Sequence, residues 1–227
     1  MSTRHHWPWI ALVACLAAAV LVLAALAQDA EAPVPDVPDA EAFHMLGTLG
    51  DGIHHTYADI PFRFADEPSR TQLLMVGHIL GITIPRDELP VAGHVTRAVH
   101  LMLLTAFSLE TPHGTPAGAI HAVYADGGRE VVQLFEGVDV AEWSHGHPAY
   151  GRRLAHEPVA PAYVWLEEDP EVGEYPAYAF SVVVETDPRP LARLELELSE
   201  AAAAETPGGN FVLMVSGVTL ELAEDEG

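Results

Sequence analysis

Hydrophobic and polar positions alternate with a period of two along much of the chain. In "LARLELELS", Leu194, Leu196 and Leu198 face one way and Glu195 and Glu197 the other. Successive side chains of an extended segment point to opposite faces, so this pattern predicts a half-buried strand with a wet side. "AYAFSVVVET" sets Tyr178, Phe180, Val182 and Val184 on one face and mostly smaller residues on the other, a second strand. "AGAIHAVYADGG" ends in an Asp-Gly-Gly turn signal and runs into "REVVQLF", which predicts a hairpin. "NFVLMVSGVTLELA" is apolar and β-branched, a last strand. "LLMVGHILGITIP" and "AVHLMLLTAFS" are nearly continuous apolar runs and fit strands buried on both sides; periodicity leaves a helix open for the second. "SEAAAAETPGG" predicts one short helical turn.

Glycine and proline, 18 of each, punctuate these runs at short intervals. Many short strands separated by turns predict an all-β fold, a jelly-roll β-sandwich. There is no βαβ alternation, no GxGxxG and no Walker loop, which disfavours a nucleotide-binding α/β fold.

The amino-terminal part reads differently. Residues 10–27 form an uncharged run of mostly Ala, Leu and Val, expected to be helical, closing with Ala25-Leu26-Ala27. Residues 1–27 therefore have the form of a cleaved signal peptide. An uncleaved membrane anchor is the alternative, since such a run just reaches across a bilayer. Leu12-Val13-Ala14-Cys15 also fits a lipobox. Each reading implies export, to the periplasm, the cell surface or the medium, with membrane contact only through this segment. Residues 28–42, "QDAEAPVPDVPDAEA", carry three prolines and five acids and read as a solvated linker. The β-sandwich domain is expected over residues 43–223, with a short acidic tail at 224–227.

Charge narrows the partners. The chain has 33 acidic and 10 basic residues, for a net charge of −23; removing residues 1–27 takes away one arginine and no acid, giving −24. Such a surface repels phosphate backbones and anionic lipid, so no nucleic-acid partner is expected. Cys15 is the only cysteine, which leaves residues 28–227 without a disulfide, a thiolate metal site or a cysteine nucleophile. No cofactor is expected.

The order of several segments resembles a known module. "YADIPFRF" comes first, then "GITIP" and "VTRAVHLMLLTAF"; "GTPAGAIHAVYADGGREVVQLFEGVDVAEW" and "ETDPRPLARLELEL" follow. This order is similar to a galactose-binding-like β-sandwich module found beside bacterial glycoside hydrolases and in other exported bacterial proteins. "HLMLLTAF" lacks the aromatic and the final histidine of that module's strand, and "ETDPRP" stands where Trp-x-Asn-Pro is more usual. The resemblance implies the fold and an association with carbohydrate, and no catalytic residues.

Candidate site residues cluster in "GVDVAEWSHGHPAYGRR". Trp143 and Tyr150 offer planes on which the apolar face of a sugar can stack, and Asp139, Glu142 and His145 can bind hydroxyls. Packing at the end of the sandwich is the competing role for Trp143. His145 and His147 alternate, so in an extended segment both imidazoles would reach one metal, though zinc wants a third ligand. His54 and His55 are adjacent and would point apart. With 33 acids, paired carboxylates of a glycosidase carry no signal; Glu167-Glu168-Asp169 reads as a solvated charge run, and no Gly-x-Ser-x-Gly elbow occurs. In Asp59-Ile60-Pro61-Phe62, Phe62 and Phe64 are expected to pack inward around a bend. These features imply an exported, non-catalytic recognition module for a neutral glycan. A membrane-anchored scaffold that docks an exported protein is the second expectation, and a metal-dependent enzyme using His145 and His147 the third.

Overall fold

The computed structural model describes residues 42–46, 53–64, 68–69 and 72–223. The expected leader with its apolar helix, the linker up to residue 41 and the acidic tail lie outside the described residues. Thirteen strands and one short helix make up the described chain. In order they are β1 (Phe43–Leu46), β2 (Ile53–Tyr57), β3 (Ile60–Phe64), β4 (Leu74–Ile79), β5 (Ile82–Ile84), β6 (Arg86–Pro90) and β7 (Thr96–Ala106). There follow β8 (Pro116–Tyr124), β9 (Arg129–Phe135), β10 (Tyr163–Asp169), β11 (Gly173–Glu185), β12 (Leu191–Leu198), the helix α1 (Glu200–Glu205) and β13 (Phe211–Leu222). The fold class is all-β with antiparallel pairing throughout the named strands, as the alternation predicts.

Two sheets face each other. A seven-stranded sheet runs β10-β11-β7-β13-β4-β5, with β1 pairing β13 beyond the end of β4, and a four-stranded sheet runs β6-β12-β8-β9. Between them lies a core that includes Leu74, Val76, Leu101, Leu103, Ile120, Leu194, Leu196, Phe211 and Leu213. The leucines of "LARLELELS" enter it, with Leu198 only partly buried at its margin.

The seven-stranded sheet buries part of its other face too. Hairpin β2–β3 forms a separate two-stranded sheet that lies on it. Phe62 and Phe64 pack there with Met102, Leu104, Trp165, Val212 and Met214. This second cluster explains the continuous apolar runs of β7 and β13, because both faces of those strands exclude water. The run "LLMVGHILGITIP" behaves differently. It breaks at Leu80-Gly81 into β4 and β5, with positive φ at both turn residues, and β5 is largely exposed rather than buried on both sides.

Two of the segments that carry the resemblance touch. The "YADGG" turn docks on "ETDPRP": the Arg189 guanidinium sits 3.9 Å from the Tyr124 ring centre and donates to Asp126 Oδ2 at 2.8 Å. Asp126 also accepts the Gly128 amide, which with the arginine holds its carboxyl below the usual range.

The β2–β3 turn carries positive φ at Ala58 (50°) and Asp59 (66°), the geometry of a type I′ turn. Asp tolerates this region, whereas Ala gains nothing in it. Ala58→Gly is expected to raise stability by roughly 0.5–1 kcal/mol, the relief of strain exceeding the entropy glycine adds to the unfolded chain. Urea unfolding checks it.

Candidate functional site

One end of the two-sheet body is closed by the segment between β9 and β10. It leaves β9 at Glu136, passes a turn held by Asp139, whose Oδ2 accepts the Phe135 amide at 2.9 Å, and returns to the seven-stranded sheet. There it inserts between two strands. The Trp143 amide donates to the Thr105 carbonyl, and the Tyr178 amide donates to the Trp143 carbonyl, both at 2.9 Å. Side chains alternate in this extended stretch, so Glu142 and Ser144 are buried while Trp143 packs with the cluster under hairpin β2–β3.

Beyond Trp143 the chain tightens into consecutive turns through His147 and Tyr150 and a single 3₁₀ turn, Gly151–Arg153. Gly146 is required by this approach: a Cβ there would lie 2.1 Å from the Pro176 carbonyl oxygen.

The aromatic residues of this end form stacked pairs. Trp143 lies nearly parallel to Trp165, with 6.2 Å between ring centres, and Trp165 in turn stacks on Tyr163. His145 stacks on Tyr178 at 4.2 Å, and His147 stacks on Tyr150 at 4.1 Å with Tyr175 edge-on. The rings of Trp143, His145, Tyr150, Tyr163 and Tyr178 are half-buried, so each pair keeps a margin in solvent. Beside Tyr178, the β10–β11 hairpin adds an apolar surface. Val164 lies opposite Tyr178 and Leu166 opposite Pro176, and the two residues are 51% and 62% exposed.

The two histidines adopt opposite tautomers. His145 Nδ1 lies 2.7 Å from the Glu142 carbonyl, which only accepts, so that nitrogen carries the proton. His147 Nδ1 accepts the Ala149 amide at 3.1 Å, so its proton is on Nε2, 3.8 Å from Asp169. Each ring is stacked on a different tyrosine, and the turn between them removes the extended geometry that a shared ion needs. Among the described residues no group of three His, Cys, Asp or Glu side chains comes together as a metal cage. His55 bonds the Ala162 carbonyl at 3.2 Å and lies against Tyr163 with its ring tilted by 56°.

Beneath this aromatic margin lies a polar layer. Glu136 is fully buried and Glu142 is 3% exposed. Glu142 Oε2 accepts the Ser108 amide and Oε1 meets the Ser144 hydroxyl, both at 2.8 Å. Burial pushes the Glu142 carboxyl up to about 7 against these bonds. Glu136 is pushed well above the usual carboxylate range by burial, opposed by the nearby Thr105 and Ser108 hydroxyls and reinforced by Glu142, and neither of its oxygens completes a hydrogen bond. The nearby Thr105 and Ser108 hydroxyls bond each other at 2.8 Å. On its other side, His156 Nε2 stands 3.6 Å from Glu136 Oε2. His156 Nδ1 faces the Thr111 carbonyl at 3.1 Å and carries the proton, which leaves Nε2 as an acceptor. Burial lowers the His156 pKa and raises that of Glu136, so both favour a neutral carboxylic acid facing a neutral imidazole. Phe107 adopts φ 66°, a strained value for a bulky residue, at the bend that turns Ser108 toward Glu142.

The expected site residues therefore divide. Trp143, His145 and Tyr150 sit at the half-exposed margin in three different pairs. Asp139 holds a turn, and Glu142 is enclosed beneath with both oxygens engaged, away from the hydroxyls of any surface ligand. The sequence reading missed Trp165, Tyr163, Tyr175 and Tyr178 as the partners of these rings. Glu167 differs from the expected solvated run. Glu167 is buried within β10, accepting the Trp165 indole N–H at 2.8 Å and the Ser69 hydroxyl at 2.7 Å. The alternation Tyr163-Val164-Trp165-Leu166-Glu167 was the available signal.

The fold and this end together define an all-β protein with a capped aromatic margin over a buried acid layer. The chain matches no family model, no curated protein and no solved structure.

Proposed function

We propose that this protein is an exported, non-catalytic recognition domain that binds a neutral glycan at the aromatic margin. One observation carries the reading: Trp143, His145 and Tyr150 each present a half-buried ring held in place by a stacked partner. Rings immobilised in this way lose little entropy on binding, and their polar tips suit a hydroxylated ligand with apolar faces. The negative surface favours neutral over sulfated or uronic sugars. The apolar run at residues 10–27 supports export. The order of segments, and the clasp of "YADGG" on "ETDPRP", support assignment of the two sheets to the jelly-roll, galactose-binding-like class.

A glycan array with the exported form tests the function. Tyr150→Ala and Trp143→Ala are each expected to weaken binding about fivefold, a stacked ring contributing on the order of 1 kcal/mol. Circular dichroism confirms that the variants fold. Binding that both substitutions leave untouched excludes the margin as the site. A second reading, docking of an exported protein, is favoured by the exposed Val164 and Leu166 on edge strand β10. An array on which the wild-type protein binds no glycan selects it.

A further inference from the structure

The four-stranded sheet carries a second candidate site on its outer face, separate from the aromatic margin. β8 lies between β12 and β9, and Ala119 is paired with Glu197 on one side and Gln133 on the other. A small residue between two long ones leaves a trough. Gly118 extends the floor, and Ser199 and Glu200, at the start of α1, close one side. The resulting cavity measures about 270 Å³.

His121 follows on the same face of β8 and lines this cavity. Its residue exposure is 7%, yet neither ring nitrogen makes a hydrogen bond. Nε2 lies 3.2 Å from Glu197 Oε2 but out of line with it, and Arg86 holds the same Glu197 oxygen from the β6 side. Buried imidazoles are seldom left in this state, because an unmade bond costs about 1–3 kcal/mol. The lining is rich in acceptors and poor in donors: two carboxylates and an amide oxygen face one amide NH₂, one imidazole N–H and one hydroxyl.

We propose that this trough binds a small organic cation, an ammonium or guanidinium group. Such a ligand supplies donors to His121, to Glu200 and to the Glu197 oxygen that Arg86 does not hold, and the negative surface concentrates it. A phosphate or carboxylate ligand would face the Glu200 carboxylate, and Glu197 beside it, whose charge Arg86 already pairs. A sugar would find no Trp, Tyr or Phe plane among the lining residues. A metal ion would find no third ligand among the described residues.

Isothermal titration of the intact protein with agmatine, which carries both cationic groups, tests the proposal, with glucose and zinc chloride as comparison probes. Saturable agmatine binding is expected. Ala119→Leu fills the trough without changing charge and is expected to abolish binding. Glu200→Gln, at an exposed position, is expected to weaken it about tenfold or more. Val183→Ser, exposed on the other sheet, is expected to leave it unchanged. The proposal is overturned by absence of saturable binding to the wild type, or by agmatine binding that survives Ala119→Leu, the mark of diffuse ionic attraction. It is overturned equally by agmatine binding that Glu200→Gln leaves at full strength, or by glucose or zinc binding in the trough where agmatine does not.

Discussion

Glu142→Gln is expected to flatten the pH dependence of stability between pH 5 and pH 8. In the wild type, the unfolded chain releases the Glu142 proton near the ordinary 4.5, while the buried carboxyl holds it to about 7. Between those values the folded state binds more protons than the unfolded state, so folding loses stability as pH rises. Below 4.5 both states are protonated and the penalty is absent; above about 7 both are ionised and it is complete. The span corresponds to roughly 3 kcal/mol, at about 1.4 kcal/mol per pH unit. Glu136 adds a penalty of the same sign, since burial and the neighbouring Glu142 hold its carboxyl well above the usual range. Glutamine reproduces the bonding of the protonated acid: its carbonyl accepts the Ser108 amide and its NH₂ donates to the Ser144 hydroxyl. It therefore removes the charge without leaving a partner unmet. Urea unfolding at the two pH values measures the effect. The wild type is expected to lose roughly 3 kcal/mol more than Glu142→Gln on going from the lower to the higher pH. Glu142→Ala instead is expected to destabilise at both, because the Ser108 amide and Ser144 hydroxyl then lose their acceptor in a buried site. Equal pH dependence in wild type and Glu142→Gln would show that the carboxyl is ionised throughout.

The elements that could be read in the sequence are those whose signal is local. β12 and β11 alternate because one face meets the shared core and the other meets water or a thinner layer. The Asp126-Gly127 turn marks the β8–β9 hairpin directly. β7 and β13 read as apolar runs, and the hairpin that covers them supplied the reason only in three dimensions. What stayed hidden is long-range. "FEGVDVAEW" looks like a solvated acidic loop. Its two glutamates are buried at the end of the sheets, and Glu142 is received there by Ser108, 34 residues earlier in the chain, which turns inward beside Thr105. In the same way, Glu167 reads as surface until the indole of Trp165 and the hydroxyl of Ser69 are found on it. Trp143 was legible as an aromatic in a polar loop; its stacked partner Trp165, 22 residues on, was not.

Phe64→Ala is expected to cost about 3–5 kcal/mol and to release hairpin β2–β3 before the two-sheet body unfolds. Phe64 is fully buried, with its ring near that of Tyr163 and against the backbone of β13. Gly217 makes that approach possible: a Cβ there would sit 2.8 Å from Phe64 Cε1 and 3.3 Å from Met102 Cβ. The hairpin belongs to neither sheet, so no ladder of backbone hydrogen bonds ties it down. Its ties include the burial of Phe62 and Phe64, the Thr219 hydroxyl on the Pro61 carbonyl, and His55 on the Ala162 carbonyl. A lone two-stranded hairpin is marginal in water, so its order depends on these contacts. Removing the Phe64 ring leaves a void between Met102, Gly217 and Tyr163 and opens the apolar cluster to water. Against a typical total of about 5–15 kcal/mol, that loss is a large fraction. Hydrogen exchange separates the local event from a global one. In Phe64→Ala, amides of residues 53–64 are expected to lose protection first, while those of β8 and β12 exchange only on full unfolding. Gly217→Val is expected to give the same pattern from the opposite side, by pushing the ring off the strand. Uniform loss of protection across both sheets would mean that the hairpin and the body form one cooperative unit.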